Sequence, residues 1–228
     1  MTDYQQKQID VIDEIEKQVK AHALKFTTVS PVVDFENDLR ICLTCVHIPS
    51  NSLKSKIEES IIAPLKKSFP EYYYYPASSL HMTIKSVRVI NNPPHFNSDD
   101  IEKAKQVFAT VVPTHLKFKA YFYRLLLFPN NLALIGTTDP ELDKIVLELD
   151  KKLKQAGVPD DKQYTNAQYF FSNLTLARFS NPTQEFIDKV EELSKNIHLE
   201  PYTIDSASLV TCNAAFKKLQ IVQTWELR

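Results

Sequence analysis

The sequence predicts an α+β fold in two lobes, on three observations. Stretches with strand-like alternation are interspersed with amphipathic helical stretches. Short turns at 129–131 and 213–215 each separate two strand patterns, which favours hairpins and antiparallel sheets. A strand, a helix and a strand bearing a polar motif occur early in the chain, and the same order returns later.

Residues 4–25 read as a helix, because Ile9, Ile12, Ile15, Val19 and Leu24 recur near helical spacing among charges. This helix is expected to be an extension packed on the domain surface, and Ser30-Pro31 ends it or begins a linker. The segment 1–37 is therefore read as an N-terminal helical extension and 38–228 as one bilobal domain. Within the latter, 39–48 predicts a strand, 52–69 a helix and 80–90 a strand. The run Asn97-Ser98-Asp99-Asp100 caps a helix over 99–112. Strands over 117–128 and 132–136 flank Pro129-Asn130-Asn131. A helix over 139–156 is terminated by Gly157 and Pro159. A strand at 170–179 and a helix at 183–196 follow. Two further strands, at 202–211 and 217–226, surround Asn213-Ala214-Ala215.

Composition narrows the function classes. The chain has 228 residues, enough to bury a sizeable core, with 27 basic and 28 acidic side chains and a net charge of -1. That balance argues against gripping long nucleic acid by bulk charge, though it leaves room for a local basic cleft. With only Gly136 and Gly157, glycine-rich phosphate loops are excluded, so side chains must do most of any phosphate binding. Three cysteines fit a reducing compartment better than a disulfide scaffold. No signal-peptide pattern opens the chain, and no apolar run approaches the ~20 residues of a membrane span. A cytoplasmic protein, monomeric and without a membrane partner, is the expectation.

The first polar motif is Leu80-His81-Met82-Thr83-Ile84-Lys85. On a regular strand His81, Thr83 and Lys85 share one face, with Met82 and Ile84 on the other. Hydroxyl and ammonium can donate to phosphate oxygens, and imidazole can move a proton. Taken alone the signal is weak: composition predicts roughly 0.4 His-x-Thr triplets by chance. The second motif, Asn173-Leu174-Thr175-Leu176-Ala177-Arg178-Phe179, repeats the template of polar, apolar, Thr, apolar. It lies 92 positions downstream (173 − 81), on the corresponding strand of the second set. Spacing, pattern and strand context together lift the pair above coincidence.

With these two motifs the chain resembles the 2H (two-histidine) phosphoesterase superfamily, in particular its LigT-like (RNA 2′,5′-ligase / cyclic phosphodiesterase) branch. That family carries two His-x-Thr-x motifs, and the second is often followed by Leu-Ala-Arg, as at Leu176-Ala177-Arg178. Leu127-Phe128-Pro129 and the apolar strand after it look like the opening of the family's second lobe. The resemblance spans about 38–228. It implies two antiparallel sheets facing a central cleft with helices outside, and chemistry without metal or other cofactor. One histidine would act as general base and the other as general acid on a 2′,3′-cyclic or 2′,5′-linked phosphodiester of a nucleotide or RNA end. The threonines would hold the phosphate.

One position departs from that pattern: Asn173 stands where the second histidine is expected. An amide can donate a hydrogen bond but cannot relay a proton. Loss of one acid or base costs ~10²–10⁴ in rate. The expected site is therefore His81 as the surviving acid/base, with Thr83, Asn173, Thr175 and Lys85 as binding groups. The alternatives are a non-catalytic nucleotide- or RNA-end-binding module, or a scaffold that has lost its ligand. Arg178 falls on the strand face opposite Thr175 unless a bulge intervenes, and ranks below Lys85.

Other features have plainer readings. Cys42-Leu43-Thr44-Cys45 lies in a strand, where positions three apart face opposite ways, so buried thiols are expected rather than a redox or metal pair. Tyr72 to Tyr75 read as a partly buried connection; the sharper reading has one ring edging the cleft and stacking on a base. Lys117, Lys119, Tyr121 and Tyr123 form a polar strand face, read as solvated surface. His22, His95, His115 and His198 are expected at the surface.

Overall fold

A computed structural model describes residues 2–26 and 28–228. Helix α1 (Asp3–Lys20) opens with a capping box, in which the Thr2 hydroxyl accepts from the Gln5 N–H and the Gln5 side chain accepts from the Thr2 N–H. Strand β1 (Ile41–His47) leads into α2 (Asn51–Ile57), a π-turn (Glu58–Ile62) and α3 (Ala63–Ser68). The expected single helix over 52–69 is thus present with one loosened turn. Pro64, which lacks an N–H, sits just beyond that turn. Next come β2 (Tyr73–Tyr74), β3 (Met82–Asn91) and α4 (Ser98–Val111), then β4 (Phe118–Phe128), β5 (Asn131–Thr138), α5 (Glu141–Gln155), β6 (Ser172–Arg178) and α6 (Gln184–Ser194). Three strands, β7 (Tyr202–Ile204), β8 (Ser206–Cys212) and β9 (Gln220–Glu226), close the chain.

The strands form two sheets whose paired neighbours are antiparallel, with orders β3-β1-β8-β9 and β2-β6-β5-β4-β7. One shared core joins them. Leu43, Met82 and Leu209 of the first sheet, Leu125, Leu134 and Leu174 of the second, and Phe108, Leu149 and Phe186 from helices are all buried in it. This is the expected α+β architecture of two antiparallel sheets.

Several local expectations need correction. The predicted strand 202–211 is two strands: β7 pairs with β4 in the second sheet, whereas β8 pairs with β1 in the first. Local alternation reports strand character but carries no partner information, so a sheet switch at Asp205 is invisible in it. The Tyr72–Tyr75 connection contains β2, which pairs with β6. His115 is not a surface residue: it is buried between Glu141 at 2.8 Å and Glu148 at 3.2 Å.

Helix α1 packs on the second sheet. Ile12 and Ile15 pack on Leu126, Ala133 and Ile135, on the face of the second sheet turned away from the shared core. Gln8, fully buried, donates to Thr138 Oγ1 at 2.8 Å and accepts from the Thr138 N–H at 2.8 Å. It also donates to the Phe170 carbonyl. Among the described residues no helix is long and apolar enough to cross a membrane.

Candidate functional site

Two β-bulges decide which side chains of the motifs share a face. In the first sheet, Val46 pairs with Thr83 and its neighbour Cys45 with Lys85, so Ile84 is an extra residue on β3. In the second, Ala133 pairs with Thr175 and Leu132 with Ala177, so Leu176 is extra on β6. An extra residue reverses the alternation beyond it. Lys85 is thereby turned from the face of Thr83, and Arg178 onto the face of Thr175. The two bulges stand at equivalent places, one residue after each motif threonine, and the residues two beyond each bulge, Ser86 and Arg178, correspond.

The structure brings His81, Thr83, Asn173, Thr175 and Arg178 together on one cavity of about 360 Å³. Among the described residues, the side chains of Thr83, Asn173 and Thr175 make no hydrogen bond, so their polar groups are available to a ligand. Lys85 is not part of this wall. Its ammonium is buried and bonded to Asp160 at 2.6 Å and Asp150 at 3.2 Å. Asp160 also accepts from Tyr164 at 2.8 Å and from the Lys162 N–H at 2.6 Å. Lys85 therefore anchors the 160–164 segment, from which Lys162 reaches the cavity. Burial pushes the Lys162 ammonium pKa down, against the pull of Asp160.

His81 precedes β3 by one residue. Its Nδ1 lies 2.8 Å from the Ser79 carbonyl. A carbonyl only accepts, so Nδ1 carries the proton and Nε2 holds the free lone pair. The ring is stacked on Phe216, with centroids 3.7 Å apart and planes 12° from parallel. Burial pushes its pKa down to about 4, opposed by the Ser79 carbonyl and reinforced by the nearby Arg178 charge. At neutral pH His81 is a neutral imidazole, suited to accept a proton rather than to give one.

Phe216 adopts φ of 59°, in the left-handed region that bulky residues avoid. Buried Asn213 holds that turn by accepting from the N–H groups of Lys217 at 2.9 Å and Lys218 at 3.2 Å. Such strain is held in place by its surroundings and collects at functional sites. Nothing in the local sequence marks Phe216 as a neighbour of His81.

Arg178 is 6 % exposed. Its Nε donates to Tyr75 Oη at 3.0 Å, and Tyr75 in turn donates to the Ala214 carbonyl. Its guanidinium lies 5.4 Å from the Phe35 ring centroid. Nη1 is buried with no partner, and among the described residues no carboxylate pairs with this arginine. An uncompensated buried cation with a free N–H on a cavity wall is a site built for an anion. The Tyr75 ring does reach the cleft, but as a buried support for Arg178.

The remaining sequence candidates lie apart or are tied up. Cys45 is buried in the core, while Cys42 pairs across strands with Cys212, with sulfurs 3.4 Å apart. His47 is buried and bonded to the Ser206 carbonyl and Tyr202 hydroxyl, each at 3.0 Å. Tyr121 donates to Asp139 at 3.1 Å, and Tyr123 packs beside α1. Among the described residues no group of three or more His, Cys, Asp or Glu is placed to hold a metal ion.

No protein-family model matches the sequence, and no curated protein matches it. Solved structures do match in shape. TT0787 of Thermus thermophilus superimposes with a TM-score of 0.54 at 11 % identity, over 83 % of this chain and 98 % of that one. Escherichia coli LigT in complex with 3′-AMP gives 0.53 at 14 %, over 82 % and 98 %. The chain has the LigT-like fold. A conserved protein of unknown function from Agrobacterium tumefaciens str. C58, ATU0111, shares this fold with a TM-score of 0.55 at 14 % identity, over 92 % of this chain and 99 % of that one. At such identities the likeness establishes architecture. Within the LigT-like fold, the roles of individual residues rest on the geometry above.

Proposed function

We propose that this chain is a divergent 2H phosphoesterase whose cavity binds the phosphoester of a nucleotide or RNA end and turns it over slowly. The observation that carries this reading is the convergence of both motifs on one cavity beside Arg178, a buried cation with a free donor. Thr83 and Thr175 donate hydroxyl hydrogen bonds to phosphate oxygens, and the Asn173 amide adds a donor that does not titrate. Arg178 supplies the positive charge that the sequence alone pointed to in Lys85. Escherichia coli LigT, which shares the fold, has been solved with 3′-AMP, with ATP and with phosphate.

The chemistry follows from which proton carriers are present. On a 2′,3′-cyclic phosphodiester, neutral His81 takes a proton from water through Nε2 as the water oxygen attacks phosphorus. The P–O bond to one ribose oxygen then breaks. In an intact two-histidine site that oxygen leaves with a proton from the second imidazole; Asn173 has none to give, so here the ribose oxygen takes its proton from water and the His81 imidazolium returns its own to solvent. The missing acid costs ~10²–10⁴ in rate. The site thus keeps its binding groups and its base while losing its acid.

Asn173→His tests this directly. Restoring the second imidazole is expected to raise hydrolysis of 2′,3′-cyclic AMP by ~10²-fold or more. His81→Ala is expected to abolish native turnover, with 3′-AMP binding retained. No gain in the first variant and no loss in the second would place the chemistry elsewhere.

A further inference from the structure

Helix α1 covers the second sheet on the side its motif strand presents to the cavity. Strand register shows it: on β5, Ile135 lies opposite Asn173 and Ala133 opposite Thr175, and on β4 Leu126 lies opposite Ala133. Opposed residues point to the same side of a sheet. Leu126, Ala133 and Ile135 therefore face the way Asn173 and Thr175 face, and this is the row on which Ile12 and Ile15 pack. Val11 and Ile15 form part of the cavity wall. The helix thus roofs the second sheet beside the motif strand, and Gln8 fastens it there through Thr138 and Phe170.

What remains under the roof has the shape and chemistry of a nucleoside site. The cavity wall carries His81, Thr83, Thr175 and Arg178. Near α1 the wall is aromatic, with Phe171 and an edge-to-face pair of Phe26 and Phe128, centroids 6.2 Å apart. A base needs such a surface, and the volume of about 360 Å³ lies at the small end of ligand pockets. Beside the cavity lies a more acidic surface. A neighbouring hollow shares Val11, Thr165, Asn166 and Tyr169 with the cavity, and its exposed charges are Asp10 and Glu14 against Lys7. A strand crossing this hollow would bring its phosphates past two carboxylates.

We propose that the site takes a free mononucleoside phosphoester and that α1 excludes an attached RNA strand. This rests on the phosphoester reading above and narrows it. The test is calorimetric titration of the full chain with 3′-AMP and with a tetraadenylate ending in the same 3′-phosphate. The tetranucleotide is expected to bind at least about tenfold more weakly. Gln8→Ala removes the buried amide that fastens the helix, leaving the Ile12 and Ile15 packing and the Arg124 ion pairs with Asp13 and Glu16, and is expected to cut that ratio to about threefold or less with 3′-AMP affinity unchanged. Equal or tighter binding of the tetranucleotide by the unaltered protein, lost for both ligands in Arg178→Met, overturns the exclusion while leaving the phosphoester site standing. An unchanged ratio in a folded Gln8→Ala protein whose α1 amides have lost hydrogen-exchange protection overturns it equally, because the discrimination then lies outside α1. If Gln8→Ala does not fold, or keeps α1 docked, the length comparison on the unaltered protein decides alone. Binding of neither ligand, or binding indifferent to Arg178→Met, overturns the phosphoester reading and this inference with it.

Discussion

His81 illustrates how a residue's chemistry is set by what encloses it. The Ser79 carbonyl selects its tautomer, Phe216 shields one face, and burial near Arg178 disfavours its charged form. The direction of the pH effect follows. The folded chain keeps the ring neutral down to about 4, whereas an unperturbed histidine titrates at 6.5. As pH falls through this window the unfolded chain binds a proton that the folded chain does not, so stability present above 6.5 is lost on the way to 4. His81→Phe is expected to flatten that part of the stability profile, measured by urea unfolding at intervals of pH. Phe216→Ala admits water to the ring, and is expected to move the His81 midpoint from about 4 toward 6.5 in an NMR titration of the imidazole. A midpoint that stays near 4 would assign the shielding to other neighbours.

At the scale of elements, the bulges at Ile84 and Leu176 exchange one cation for another. Lys85 satisfies the alternation rule and is turned away, and Arg178 violates it and is turned inward. The displaced lysine has become structural. Lys85→Met leaves buried Asp160 without its ammonium and is expected to cost about 3–5 kcal/mol in urea unfolding. A cost near zero would mean that the 160–164 segment holds itself. Gly136 answers a close approach between strands: a Cβ there would lie 2.7 Å from both the Tyr121 carbonyl oxygen and Ser172 Oγ. Gly136→Ala is expected to lose about 1–3 kcal/mol, because the Tyr121 oxygen is backbone and cannot swing aside.

The whole molecule is held as one unit by chain crossings between its sheets. Strand β2, reached from the first sheet, pairs with β6 of the second, and the chain passes from β7 in the second sheet to β8 in the first. Tyr75 ties the second motif to the turn after β8 that carries Phe216, accepting from Arg178 and donating to the Ala214 carbonyl. Tyr75→Phe removes the acceptor from a buried guanidinium and is expected to cost about 1–3 kcal/mol. It should also weaken 3′-AMP binding by leaving Arg178 free to turn. Unchanged affinity in a destabilised protein would show that Arg178 is positioned by Phe35 and the sheet instead.

Much of this was legible along the chain, because it depends on near neighbours. Helices followed from caps and spacing, strands from alternation, and the paired motifs at His81 and Asn173 from a repeated pattern of residue types. The absence of a proton carrier at Asn173 needs no coordinates at all. What the chain did not announce depends on distant partners. A bulge is defined by the strand it pairs with, so the exchange of Lys85 for Arg178 could not be read from β3 or β6 separately. Phe216 meets His81 across a separation of 135 positions (216 − 81) through a strained turn with no sequence signature. The place of α1 was hidden for the same reason: an apolar stripe says that a helix must be covered, and the fold alone chooses the surface that covers it.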